Sequence, residues 1–267
     1  MGHIRPTVTC LKGVYRMVIP IFFVAHWISS VFMQSFFLHR YAAHKMYTVN
    51  KFWEKTFYFL TWFLQGSSYL VPRAYAILHR EHHAYSDTEK DPHSPSWVDN
   101  PFTMMWLTKT RYSGINNGRI KPEARFDDGT FPVWPALDKL GGSAIGRLLW
   151  IGAYSAFYYF FVSAPWQWFL LPLTWTMGPL HGAIVNWCGH KYGYRNFDTD
   201  DDSRNSLPVD VVTMGELFQN NHHTYSRSAN FAQRAFEIDP TYQIMRLLDF
   251  VGIIKLLRPR KTEQLAA

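Results

Sequence analysis

From Leu148 to His190 the chain carries no Lys, Arg, Asp or Glu, and no other feature restricts its fold so tightly. One bilayer crossing takes about 20 apolar residues, so this run suffices for two. It is interrupted by SAPWQW, Ser163 to Trp168, where a Pro flanked by Trp suits a turn with interfacial aromatic anchors. The run therefore reads as a helical hairpin over 148–163 and 167–187. A second uncharged run, Met17 to Leu38, is long enough to span once. Arg5, Lys12 and Arg16 precede it; Arg40, Lys45, Lys51 and Lys55 follow more densely, which places that end in the cytoplasm. The N-terminus lacks the small-residue cleavage site of a removable signal peptide.

Thr56 to Pro72 (TFYFLTWFLQGSSYLVP) is uncharged but short for a span, with polar QGSS inside it. Histidines lie on both sides: His39 and His44 before it, His79, His82 and His83 after it. A crossing would hold the two sets about 30 Å apart. A re-entrant or interfacial segment would leave all five on one face, to which the later hairpin returns the chain at His190. The expectation is an all-α polytopic membrane protein. Three spans (17–38, 148–163, 167–187) and one embedded helix (56–72) form a stem, and 39–55, 73–147 and 188–267 form a cytosolic cap. The alternative is four spans with unrelated histidine clusters.

The remaining composition agrees. The 267 residues are 48% hydrophobic and 18% aromatic, with net charge +7 spread along the chain and beside the apolar runs. That pattern suits an anionic membrane surface rather than nucleic acid. Cys10 and Cys188 are too few for a disulfide framework. Asp87 to Lys139, with DPHSP and NP, reads as loop-rich. In Tyr242 to Leu257, Ile244, Leu247, Leu248, Val251, Ile254 and Leu257 recur at helical spacing, for core packing.

Eight of the twelve histidines fall into four clusters: HRYAAH (His39, His44), HREHH (His79, His82, His83), NWCGH (His190) and QNNHH (His222, His223). Residues i, i+3 and i+4 share a helix face, so HREHH aims three imidazoles one way, and Asn186 is in phase with His190. Eight imidazoles exceed one tetrahedral site of four ligands. They suit two metal ions with open positions, and imidazole suits iron, copper, zinc or nickel. His26 reads as a buried polar residue of the first span. His181, nine residues before His190, falls on the opposite helix face and reads as a polar residue at a kink after Gly178 and Pro179. His93, in DPHSP, reads as part of a turn.

HRYAAH, HREHHAYSDTEKDPHSP, NWCGHKYG and GELFQNNHH together resemble the histidine boxes of the membrane fatty acid desaturases, the stearoyl-CoA, delta-9 type in particular. The likeness runs from about Phe32 to His83 and from Leu180 onward, and is poor over 100–147. It implies a mushroom-like fold of membrane stem and cytosolic cap around a diiron centre. It also implies His39, His44, His79, His82, His83, His190, His222 and His223 as iron ligands, with Asn186 reaching an iron through water. The last box departs from the usual HxxHH in having Gln219 first, a neutral amide ligand also found in the front-end desaturases.

Ligating imidazoles need a carboxylate or carbonyl behind them, which singles out Glu81, Asp87, Asp91 and Glu216. Trp62, Gln65, Gly66, Tyr69 and Trp187 are candidates for lining an acyl tunnel. Arg40, Arg73, Arg80 and Lys191 are candidates for a CoA phosphate or lipid headgroup. The implied reaction is O2-dependent desaturation of a CoA- or lipid-linked acyl chain. Its electrons would come from a separate donor of ferredoxin or cytochrome b5 type, since the chain has neither a haem motif nor a ferredoxin cysteine set. The short N-terminus and QNNHH resemble bacterial members, hence a bacterial inner membrane with the site on the cytoplasmic face. A hydroxylase or other lipid oxidase would use the same ligands. A metal transporter or sensor fits less well, because the spans carry almost no ionisable residues.

Overall fold

The computed structural model describes residues 7–257, with side chains from Arg16 onward. The expectations resting on the Arg5, Cys10 and Lys12 side chains, and on the tail beyond Leu257, lie outside the described residues. Long apolar runs must close their backbone hydrogen bonds internally, and the described residues are accordingly predominantly helical, with almost no sheet. Helix α1 (Thr7–Met33) runs unbroken into a π-helical stretch, Gln34–Ala43. Within it, Arg16–Ala43 is the one helix among the described residues long and apolar enough, by length and composition, to cross a membrane.

The expected hairpin is present, but its second arm is not one straight helix. After α6 (Ala144–Phe161) and a 3₁₀ turn, Pro165–Phe169, the chain forms α7 (Leu170–Trp175) and α8 (Met177–Ala183). A π-helical turn, Ile184–Cys188, then leads to α9 (Gly189–Lys191). Proline supplies no N–H and disrupts the preceding turn. Pro179 thus releases the Trp175 carbonyl, which accepts a hydrogen bond from the Ser67 hydroxyl at 2.8 Å.

Strand β1 (Tyr47–Val49) precedes α2 (Lys51–Gln65), which is capped by the Asn50 side chain accepting from the Trp53 N–H. Helix α2 stops at Gly66, whose φ of +55° and contact with the Tyr154 hydroxyl leave no room for a Cβ. The expected embedded segment is therefore the end of α2, the 3₁₀ turn Gly66–Ser68 and a short link to α3 (Pro72–Tyr85).

The segment expected to be loop-rich contains α4 (Pro101–Asn116) and α5 (Pro135–Gly142). Asn100 caps α4 and Pro101 occupies its first position, so the NP pair is a helix start rather than a turn. The chain continues through α10 (Gln219–Thr224) and α11 (Pro240–Phe250) to β2 (Ile254–Leu256), antiparallel to β1 with Tyr47 opposite Leu256. The helix expected to reach Leu257 thus ends at Phe250. Gly252 adopts φ +75° and Asp249 accepts from the Leu256 N–H at 2.9 Å. Met245 is buried, whereas Leu247 and Val251, expected to pack inward, are exposed.

The main core gathers Phe36, Phe37, Leu38, Tyr58, Ile77, Phe218 and Phe231 around the histidine-bearing segments; a smaller one joins Ile19, Tyr154, Tyr158 and Leu171. Outward faces of α1, α2, α6 and α7 expose Ile21, Val24, Phe63, Leu148, Leu149, Phe160 and Leu173. An apolar exterior of that extent marks an interaction surface.

Candidate metal centre

The spacing of His39 and His44 is five residues, which no α-helical turn brings into register. The π-helical stretch does, because its hydrogen bonds run between residues five apart, and the His44 N–H donates to the His39 carbonyl at 3.1 Å. Helix α3 supplies His79 and His83 on one face, and α10 supplies His222. These five side chains offer nitrogens that all lie within 4.8 Å of one another. The Nε2 atoms are 2.9 Å apart for His39 and His222, 2.8 Å for His44 and His79, 3.0 Å for His79 and His83, and 2.9 Å for His83 and His222. Imidazoles holding one ion at about 2.1 Å, at right angles to each other, would stand roughly 3 Å apart. The donor set fits a metal ion. Burial, and then the neighbouring histidines, pull His44, His79, His83 and His222 well below the usual histidine range, keeping lone pairs available.

A second group joins His82, His190 and His223. Each Nδ1 meets a carboxylate: Asp91 for His82 at 2.8 Å, Asp87 for His190 at 2.8 Å, and Asp201 for His223. Each Nε2 is buried without a protein partner. Three braced rings with orphaned nitrogens converging also fit a metal ion. Burial lowers His82, but Asp91 outweighs it and the net shift is upward; burial brings His223 down to about 4 against the pull of Asp201.

The carboxylates are themselves held. Asp87 adopts φ +57° and accepts from the Ser94 hydroxyl and the Asp202 N–H, both at 2.8 Å. Asp91 accepts from the N–H groups of Asp87 and His93 at 2.9 and 3.0 Å. Glu216 engages His39 Nδ1 and accepts from Ser35 at 2.5 Å and Arg40 at 3.0 Å. Arg40 is fully buried, with Asp239 2.7 Å from its other arm and Phe231 under its guanidinium. It is therefore an internal brace, not a surface cation waiting for a phosphate.

Of the carboxylates singled out from sequence, Asp87, Asp91 and Glu216 touch box histidines. Glu81 does not: it takes both arms of Arg111, at 2.6 and 2.9 Å. Asp201, in an acidic loop far from the boxes in sequence, was not foreseen. Nor were the asparagines of QNNHH. Asn221 donates to the Phe231 carbonyl and Glu237 at 2.8 and 2.9 Å, and Asn220 accepts from the Asn196 and Phe197 N–H groups at 2.8 and 2.9 Å. Together they fix α10.

Gln219 donates through its amide to the Glu216 carbonyl at 2.6 Å and packs on Gly189, where a Cβ would come within 2.5 Å of its Cγ. Asn186 lies in the π-helical turn that leads into α9, which carries His190. His93 stacks near His82 at 4.4 Å, forming a further group of metal-binding type with His82 and Asp91; its Nδ1 has no partner. His26 and His181 join neither main histidine group.

Among the tunnel candidates, Tyr69 donates to Asp138 at 2.8 Å, Gln65 accepts from the Leu70 N–H at 3.3 Å, Trp62 has its indole N–H buried and unpartnered, and Trp187 lies under Lys191. Arg73 pairs with Asp127 and Arg80 with Asp128.

Residues 16–237 match the family model described as fatty acid desaturase. Among curated proteins, the chain is 30% identical over 240 residues to an sn-1 stearoyl-lipid 9-desaturase of Anabaena variabilis, covering 85% of this chain and 79% of that one. It is 28% identical over 232 residues to delta-9 desaturase-like 5 protein of Arabidopsis thaliana, covering 82% and 70%. An acyl-CoA 5-desaturase of Anemone leveillei is 27% identical over 248 residues, covering 86% and 70%.

Proposed function

The chain belongs to the fatty acid desaturase family and is an oxidoreductase of lipid metabolism; on that premise we propose that it inserts a carbon–carbon double bond into a long-chain fatty acyl chain at a diiron centre. The observation that carries this reading is the pair of histidine groups, five converging imidazoles beside three braced by carboxylates. His39, His44, His79, His83 and His222 would hold one iron. His82, His190 and His223 would hold the other, with Gln219 and a water on Asn186 completing its surroundings. When bound, the irons supply O2 activation strong enough to take hydrogen from an unactivated methylene.

The remaining work belongs to the protein. Asp87, Asp91, Asp201 and Glu216 hold Nδ1 of their histidines, fixing tautomer and ring direction so that Nε2 faces inward. Against the cost of its burial, His39 first and then Arg40 and Ser35 keep Glu216 ionised and in place. The main aromatic core excludes water from one side of the site. In balance, one O2, two electrons and two protons convert a –CH2–CH2– unit into –CH=CH– and two waters. The electrons come from a separate ferredoxin- or cytochrome b5-type protein.

The exposed apolar faces of α1, α2, α6 and α7 support a multi-pass stem in a bacterial inner membrane, with the histidines on its cytoplasmic side. The whole chain then acts as one catalytic domain. The acyl tail enters the stem, past Trp62, Gln65, Tyr69 and Trp187, while its CoA- or lipid-linked head stays in water. The lipid-linked and CoA-linked relatives support both carriers.

The test is the fatty acid profile of cells expressing the chain, set against cells expressing the His82→Ala, His83→Ala double variant. A new monounsaturated acid made only with intact histidines is the expected result, and its fragmentation gives the bond position. A hydroxylated acid in its place would reassign the chain as a hydroxylase using the same site.

A further inference from the structure

A closed ring of contacts lies deep among α1, α6, α8 and the Gly66–Ser68 turn. The Trp27 indole stands edge-on to the His181 imidazole, with centroids 4.4 Å apart. His26, the neighbour of Trp27 on α1, packs its ring 5.1 Å from that of Tyr154. The Tyr154 hydroxyl lies against the Gly66 backbone, and two residues on, Ser68 fills the space beside Gly178, where a Cβ would come within 2.8 Å of the Ser68 Cβ. Gly178 is one helical turn before His181 on α8, which closes the ring.

Five polar atoms of this ring are buried without a protein partner: Nε2 of His26, Oγ of Ser68, the Tyr154 hydroxyl and both ring nitrogens of His181. All four residues are more than nine-tenths buried, His181 completely. Ser30, one turn along α1 from His26, is also fully buried with its hydroxyl unpartnered. Folded proteins leave few such atoms unsatisfied, and each one calls for an occupant. At 1.5 Å per helical residue, His181 lies about 14 Å along the chain axis from His190, and His26 about 20 Å from His39. That separation along the helices is one the tail of an acyl chain can span from the histidine centre.

We infer that this layer receives a hydroxyl group carried by the acyl chain beyond the carbons that are oxidised. The inference rests on the acyl-chain reading above and narrows its substrate class to tails oxygenated in their distal half. A plain methylene tail passing here would displace water from five polar atoms and replace none of their hydrogen bonds, which weakens binding. A hydroxyl both donates and accepts, and so do a neutral imidazole and a serine hydroxyl. A site with buried hydrogen-bonding groups also discriminates strongly against the analogue that lacks the partner.

The experiment uses the purified, metal-loaded chain and octadecanoic acid presented as its CoA thioester and as its glycerolipid ester, each unsubstituted or with one hydroxyl at successive positions along the distal half of the acyl chain. Apparent dissociation constants come from ligand-induced thermal stabilisation. The expected result is one hydroxyl position that binds about tenfold tighter or more than the unsubstituted ester. Ser68→Ala and His181→Leu should each erase that preference while still binding the unsubstituted ester. Ser68→Ala, the smaller change, carries the test if His181→Leu does not fold. Equal or tighter binding of the unsubstituted ester, or a preference that survives in the folded variants, would overturn the inference and leave the desaturase reading standing. If no ester of either series binds, the acyl-chain reading falls, and this inference with it.

Discussion

Asp201 holds Nδ1 of His223 across 22 residues of chain, reaching from an acidic loop into the second histidine group. It also accepts from the Ser203 hydroxyl at 2.5 Å and the Thr199 hydroxyl at 2.8 Å, so its position is set by its own loop. Carboxylates behind ligating imidazoles typically contribute 10–100-fold in metal affinity. Asp201→Asn should lower affinity at the second position by about that factor and leave the five-histidine group loaded. Metal titration followed by elemental analysis reads this as a fall toward half occupancy.

Arg40 is fully buried between Glu216 and Asp239. Removing one partner of a buried ion pair costs about 3–5 kcal/mol, because the other charges stay buried. Arg40→Met should destabilise the chain by that order in denaturant unfolding. It should also loosen His39, whose Nδ1 depends on Glu216. Equal stability of the variant would mean that Asp239, already pushed upward in pKa by burial, is protonated and does not need the arginine.

Glu54 lies outside the histidine groups, at the start of α2. Burial pushes its pKa up, but hydrogen bonds from Tyr41 at 2.5 Å and Lys51 at 2.9 Å reverse the shift, leaving it below the ordinary 4.5. A carboxylate depressed in the folded state contributes stability above its unfolded pKa and loses it as the pH falls through the folded value. Glu54→Gln should therefore melt lower than the unmodified chain at neutral pH. The gap should close as the pH drops below about 4.5, as followed by thermal melts across that range.

Metal removal should destabilise the fold, since both histidine groups draw on segments distant in sequence. An ion present at a hundredfold its Kd adds about 2.7 kcal/mol to the folded state. Chelation should lower Tm, and iron added back should restore it in proportion to occupancy. A Tm indifferent to metal would mean that the hydrogen bonds around Asn220, Asn221 and Glu237 hold α10 unaided.

The metal-binding character of HREHH could be read from the sequence, but not its division: the three imidazoles expected to meet at one point split, His79 and His83 joining the five-histidine group and His82 the group with His190 and His223. The spacing of His39 and His44 was legible as a pair, though the π-helical stretch that gives it meaning has no strong sequence signal. Glu81 sat inside a box and was misread for that reason: its position on α3 points it at Arg111. Asp201 escaped because loop contacts across many residues leave no periodic trace. The stripe ending at Leu257 misled because helical spacing over a short tail can arise by chance, and Gly252 with the β1–β2 pairing outweighs it. Arg40 looked like a surface cation until Asp239, nearly 200 residues later, was placed beside it.

The order of synthesis adds a constraint. His39 and His44 leave the ribosome well before His222, and β2 follows later still to close on β1. Four members of the larger group thus precede their fifth by more than 130 residues of synthesis, and the smaller group waits as long for His223 after His82. Neither histidine group is complete until α10 has emerged, so a metal ion could be held by the full set only after that point. A nascent chain stalled before α10 would expose imidazoles able to capture whichever cation is nearest.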